Sequence, residues 1–404
     1  MTYVFNYRLG STAMPIQFGP PVDRSQSDSI KWKRYAGKDV LPMWVADMDF
    51  KVIPEIIDAI NDRAEHGVLG YGSDNPELMN LIVEHCQHHY QWQIKPEWIV
   101  LTPGVVKGLN IARALAIQNG KPAGITAKPV YPHLMHHSPV LTFESQDFLT
   151  QSKGDSWELN LQQMQQNISD DTGVFLLCNP HNPLGKVYSR EELIAVAEVC
   201  LQHDLIICSD DIHCDLILNG KPHIPIASLS DEIANQSITL MAPSKTFNIA
   251  GLDTAFAVIS NPTMRKKYQA LMYGLVGHVN IIGTQAAIAA YKHGEPWRQE
   301  LIKYLQSNLN LISQRVNNTP GISMRPVEAT YLAWLNVSSL KLDNPQKYFE
   351  EYGVGMSAGS EFGDNDYVRL NFGCQQEVLI KALDRIEQAT HERMLILAKN
   401  EGAA

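Results

Sequence analysis

Four short apolar runs, Gly173 to Cys178, Leu205 to Ser209, Ile238 to Met241 and Ala255 to Ser260, are separated by stretches of helical patterning. A strand that is apolar at nearly every position has no polar face to offer water, so it belongs inside a sheet covered on both sides. Strands of this kind alternating with helices predict the α/β class, with a mostly parallel sheet and helices on both faces. Ligands of such sheets bind at the carboxyl ends of the strands. Asn179 to Asn182, Asp210 to His213 and the pair Ser244–Lys245 all fall there.

The flanking chain extends this pattern. Ile99 to Thr102 reads as another strand, followed by Pro103–Gly104 and a helix from about Val106 to Gln118. A strand, glycine turn and helix start offer backbone N–H groups and a positive dipole end to an anion, so Gly104, Val105 and Val106 are candidates to hold a phosphate. Pro54 and Pro76 open two further helices, a position proline favours, and the glycine-rich Gly67 to Gly72 between them reads as a loop. Residues 1 to 40 read as an arm. Leu41 to Phe50 then sets Asp47 and Asp49 in apolar surroundings, where acids need partners; Trp44 and Asp47 are candidates to face a substrate. After about residue 283 helices at about 283–292 and 297–317 precede strand-like Tyr331 to Val337, Val354 to Met356 and Tyr367 to Phe372 and a last helix at about 376–395. The expected organisation is an arm with part of the small domain (1–50), a large domain (51–283) and a smaller α+β domain (284–404).

Composition narrows the function. The 404 residues are 45% hydrophobic and 19% charged, as in a globular protein, and the net charge of −10 speaks against bulk nucleic-acid binding. No apolar stretch has membrane-spanning length and the first eight residues lack signal-peptide order, so a cytoplasmic protein is expected. Cys86, Cys178, Cys200, Cys208, Cys214 and Cys374 form no CxxC pair and read as reduced, buried thiols. A metal cluster of Asp210, Asp211 and His213 ranks low because no further ligand motif accompanies it, and no metal is expected. The spaced histidines His85, His88, His89 and His133, His136, His137 read as surface or partner-bonded residues.

Three polar groups on consecutive strand ends suit one aromatic cofactor. Lys245 follows a buried strand among small residues, a costly place unless the amine is paired, shifted in pKa or used covalently, as in a Schiff base with an aldehyde. Asp210 is suited to hold a ring nitrogen protonated, Asn182 to bond a phenolic oxygen, and Tyr131 to stack on the ring. Arg369 lies in an otherwise apolar strand, and its fork suits the carboxylate of an amino acid.

The motifs LPMWVADMDF, NPHNPLGKVYS, SDDIHCDL, APSKTFNIAGL and VRLNFGC jointly resemble the fold-type I pyridoxal-phosphate enzymes, the aspartate aminotransferase superfamily. Within it they resemble the MalY/PatB-type cystathionine β-lyase or C–S lyase branch, from about Leu41 to about residue 390. The resemblance implies a seven-stranded type of sheet and pyridoxal 5′-phosphate as cofactor. It also implies Lys245 as the Schiff-base lysine, Asp210 as the ring-nitrogen partner, Asn182 as the O3′ partner, Tyr131 as the stacking ring and Arg369 as the substrate-carboxylate ligand. Ser244 would join the glycine turn at the phosphate. Tyr71 would reach the phosphate of a neighbouring subunit, which implies a homodimer with shared sites. Aminotransferases commonly carry arginine eight positions after the lysine and often tyrosine three after the ring-nitrogen aspartate; here these are Asp253 and His213, as is similar to the C–S lyase branch. The expected activity is α,β-elimination from cystathionine or another cysteine S-conjugate; the alternative is a class I/II aminotransferase.

Overall fold

The computed structural model describes residues 18–401, so residues 1–17 of the expected arm lie outside it. An eight-stranded sheet runs in the order Ile99–Thr102, Ala255–Val258, Ser237–Met241, Ile206–Asp210, Thr172–Cys178, Ala123–Lys128, Glu144–Lys153 and Ser156–Leu159. The five strands from Ser237–Met241 to Glu144–Lys153 pair in parallel. Ala255–Val258 is antiparallel to both its neighbours, which returns Ile99–Thr102 to the common direction and puts its carboxyl end on the same edge as the others. The expected α/β class is borne out. Ser156–Leu159 adds an antiparallel hairpin strand to the seven-stranded pattern, on an edge whose residues are mostly exposed.

Thr172–Cys178, Ile206–Asp210 and Ser237–Met241 are buried at every position, as their apolar runs require. Helix Val105–Gln118 packs Leu109, Ala112 and Leu115 on one face with Leu176, Cys208 and Leu240. On the other face helix Arg190–Gln202 sets Leu193, Val196 and Cys200 against Phe175 and Ile207. Its start is fixed by a reciprocal capping box between Ser189 and Glu192.

A second, antiparallel sheet orders Ser323–Met324, Leu332–Asn336, Tyr367–Asn371 and Ser357–Ala358. Helices Glu295–Asn317 and Gln376–Glu401 contribute Leu305, Ile312, Leu379 and Ile386 to its core. The strand expected over Val354 to Met356 is shorter, and a separate strand follows just beyond it. Val354–Gly355 pairs with Leu41–Pro42, while Ser357–Ala358 joins the second sheet. That first pairing draws Met43, Met48 and Phe50 into the core of Leu335 and Phe372. Within the expected arm, Ile30–Lys33 is a short helix. All six cysteines are buried and free. No helix among the described residues is long and apolar enough to cross a membrane.

Candidate active site

A cavity of about 410 Å³ opens at the carboxyl edge of the large sheet, with Arg369 of the second sheet in its far wall. Asp210 ends one strand of the large sheet, and Asn182 and Lys245 follow two others closely. Gly104, Val105 and Val106 sit where Ile99–Thr102 gives way to a helix, and Tyr131 follows Ala123–Lys128. All of these, with Trp44, His213 and Ser244, line the cavity.

Lys245 donates from Nζ to the carbonyl of Ala46 at 2.6 Å. Loss of water around its amine lowers its pKa to about 8, opposed by Asp47 and Asp210 and assisted by Arg369. Asp210 is almost wholly buried, and among the described residues its carboxylate accepts one hydrogen bond, from the Ile212 N–H at 3.2 Å. Burial pushes it up to about 7, and Asp211 adds to the rise. His213 is also buried, its Nδ1 without a partner among the described residues and its pKa lowered to about 3 by desolvation with Lys245 and Arg369 nearby. It is a neutral imidazole, edge-on to Tyr331 at 5.9 Å.

Arg369 faces Trp334 across one strand pair and Ser357 across another. Its guanidinium donates to Asn182 Oδ1 at 3.0 Å, to the Trp44 carbonyl at 2.9 Å and to Ser357 Oγ at 3.3 Å, and lies 4.5 Å from the Phe362 ring centre. Among the described residues no carboxylate pairs with it, although it is 5% exposed. Burial lowers its pKa to about 10, far enough above neutrality to leave it charged. A buried, unpaired guanidinium is costly and marks a place for an anion from outside. Tyr131 is tied by its N–H to the Asn182 carbonyl at 2.9 Å; burial raises its phenol to about 12.

The residues present fit a phosphorylated pyridine aldehyde. A singly bonded carboxylate, an amine with a depressed pKa, an aromatic ring and an uncapped helix start with Gly104 at φ +102 all face one cavity. Two expected residues stand apart. Asp47 does not line the cavity; its carboxylate is 3.0 Å from Arg24 and 3.5 Å from Lys31. Tyr71 is fully exposed and lines no part of this cavity within one chain. Asp211, expected as a weak metal candidate, turns to His223 at 2.7 Å and to Ser209. Sequence reasoning missed Tyr331, whose hydroxyl donates to Ala46 at 3.0 Å, and Asn371, which donates to the Val45 and Asp47 carbonyls at 2.6 and 2.7 Å. It also missed Lys107 in the cavity wall, although a cation in the first turn after Gly104 was visible.

The family model for class I and II aminotransferases matches residues 38–386. Cystathionine β-lyase PatB of Bacillus subtilis is 34% identical, over 93% of this chain and all of its own length. The crystal structure of OvoB superposes with a TM-score of 0.89 at 41% identity, covering 93% of this chain and 99% of that one. Cystalysin from Treponema denticola, solved with pyridoxal 5′-phosphate, gives a TM-score of 0.86 at 29% identity over 94% and 100%. The resemblance read from the motifs is thus borne out over nearly the whole chain, and the chain belongs to the class I and II aminotransferase family.

Proposed function

We propose that this chain is a pyridoxal-phosphate-dependent C–S β-lyase, cleaving cystathionine or related cysteine S-conjugates to a thiol, pyruvate and ammonia. The observation that carries the reading is Lys245 and Asp210 lining one cavity with Arg369, a buried cation that no carboxylate pairs among the described residues. The name of PatB and the cofactor of cystalysin support it, and both are similar to this chain over most of its length.

When bound, the cofactor's ring supplies an electron sink for the pair left on the substrate's α-carbon. Lys245 takes the α-proton. Its pKa of about 8 leaves a substantial neutral fraction near pH 7.5, the form that accepts a proton. Asp210 pairs with the ring nitrogen, and that cation would favour its ionised form against burial. Tyr131 stacks on the ring and Asn182 bonds its phenolic oxygen. Val105, Val106 and Ser244 hold the phosphate with the Gly104 turn. Arg369 binds the substrate carboxylate and so fixes the α-carbon before Lys245. Neutral His213 leaves the charge of the site unaltered. With the α-proton on Lys245, the pair on the α-carbon forms a Cα–Cβ double bond as the Cβ–S bond breaks. Sulfur leaves with that bond's pair and takes a proton to become the thiol, and the enamine, protonated at Cβ, is hydrolysed by water to pyruvate and ammonia.

The enzyme works in the cytoplasm as a homodimer with shared sites. The exposed apolar residues Val68, Leu69, Tyr71, Tyr273 and Leu275 support the dimer, since such surface is normally covered. Transamination by the same residues is the less supported reading. Purified protein given L-cystathionine alone decides between them: pyruvate and ammonia formed without any added 2-oxo acid, and abolished by Lys245→Ala, are expected. Turnover that requires a 2-oxo acid would move the assignment to aminotransferase.

A further inference from the structure

Resting on the pyridoxal-phosphate reading above, we propose that Lys107 is the phosphate-binding cation of this site, steered to the phosphate cradle by Asp253. The cradle is the Gly104 turn and the first turn of helix Val105–Gln118, which has no side-chain cap and no acidic residue. A helix start alone offers about half a positive charge, so a phosphate dianion calls for a full cation beside it. The position eight residues after Lys245 holds Asp253, whose carboxylate lines the cavity and would repel a phosphate.

Three strongly basic side chains line this cavity: Lys107, Lys245 and Arg369. Lys245 is bonded to Ala46, and Arg369 is held by Asn182, Trp44 and Ser357 at the opposite wall. Lys107 remains. Its chain folds back along the helix, so that Nζ lies 3.4 Å from the point where a Cβ on Gly104 would sit. Asp253 Oδ1 lies at the same 3.4 Å from that point, and Lys107 Nζ is 3.4 Å from Asp253 Oδ2. Both side chains of this pair are more than two-fifths exposed, so it contributes little to stability. A lysine in a helix's first turn also opposes the helix dipole. Such a cation gains most from an anion arriving at the cradle. Asp253 then serves to orient the ammonium, and its own charge is neutralised.

The test is a titration of apoprotein with pyridoxal 5′-phosphate, followed by the cofactor's visible absorption, with pyridoxal as the probe that lacks a phosphate. Lys107→Gln is expected to weaken pyridoxal-phosphate binding about tenfold or more, the scale of one charge-assisted contact, while pyridoxal binding stays within about twofold. Lys107→Arg should retain the affinity. Adding Asp253→Arg to Lys107→Gln should restore it by supplying the cation from the other side of the cradle. Unchanged pyridoxal-phosphate affinity in Lys107→Gln overturns the assignment, as does an equal loss for both probes, which would mean damage to the fold. Wild-type apoprotein that takes up no pyridoxal phosphate would overturn the parent reading as well.

Discussion

Asp210 and Lys245 oppose the stability of the apoprotein from opposite ends of the pH scale. Burial raises Asp210 from 3.8 to about 7, so its contribution to stability is complete below about pH 3.8 and is lost as pH rises to 7. Lys245 is lowered from 10.5 to about 8, so its contribution is complete above about pH 10.5 and is lost as pH falls to 8. Between pH 7 and 8 both losses are in force, a local frustration of the kind found at functional sites. Removing the charge at Asp210 should therefore stabilise the apoprotein. Asp210→Asn keeps an acceptor for the Ile212 N–H, and its apoprotein should melt above wild type at pH 8 and match it near pH 4. At one pKa unit per 1.36 kcal/mol the gain is bounded at about 4 kcal/mol. Thermal melts of the two apoproteins across pH check this, and an Asn variant less stable at pH 8 would refute it. Lys245 and Asp210 were legible because an ionisable group at or just past the end of an apolar strand is conspicuous. Tyr331 was not, since a tyrosine opening a strand reads as packing until the Ala46 carbonyl it binds is known.

The turn that presents Lys245 is held from beneath by residues scattered along the chain. Thr246 Oγ1 donates to Asp215 at 3.1 Å, the Tyr90 hydroxyl donates to the same carboxylate, and His85 Nε2 lies 2.8 Å from it. Arg298 donates to the Asp215 carbonyl at 2.9 Å. Burial would push this carboxyl up, but His85, Arg298 and the Tyr90 hydroxyl together hold it well below the usual range. The stability it adds is present above about pH 3.8 and is lost as the medium becomes more acidic. Asp215→Asn breaks this network while leaving Lys245 in place. It should lower unfolding free energy by about 3–5 kcal/mol, the usual result of removing one partner of a buried charge cluster. Urea unfolding at pH 7 measures it; a change under about 1 kcal/mol would mean the network adds nothing net. Thr172–Cys178, Ile206–Asp210, Ser237–Met241 and Ala255–Val258 were readable because burial on both faces leaves a continuous apolar run, whereas the buried Ala123–Lys128, built on alanine, glycine and threonine, and Glu144–Lys153 were not read. The network was not, because His85 and Tyr90, Asp215, Thr246 and Arg298 come from four separate stretches and only the fold joins them. The hairpin strand Ser156–Leu159 was missed for the opposite reason: it is short, polar and on an edge.

Within one molecule the cavity is walled by both sheets and by the 44–46 segment, yet Tyr71 stands outside it with its ring fully in solvent. It shares an exposed loop with Val68 and Leu69, and Tyr273 and Leu275 expose a second apolar stretch. A twofold dimer that buries these stretches would let each subunit's Tyr71 complete its partner's site. The shared-site proposal then has a consequence that no arrangement of independent sites shares. Tyr71→Ala and Lys245→Ala should each be nearly inactive as homodimers. When the two are unfolded together and refolded at equal concentration, half of the dimers should be mixed, and each mixed dimer holds one site with both an intact Lys245 and an intact Tyr71. Recovery of roughly a quarter of wild-type activity is expected under random pairing. The recovered activity should follow the fraction of mixed dimers, separated by a tag on one variant. Independent sites predict no recovery at any mixing ratio, because every site with an intact Lys245 would then retain its own altered Tyr71.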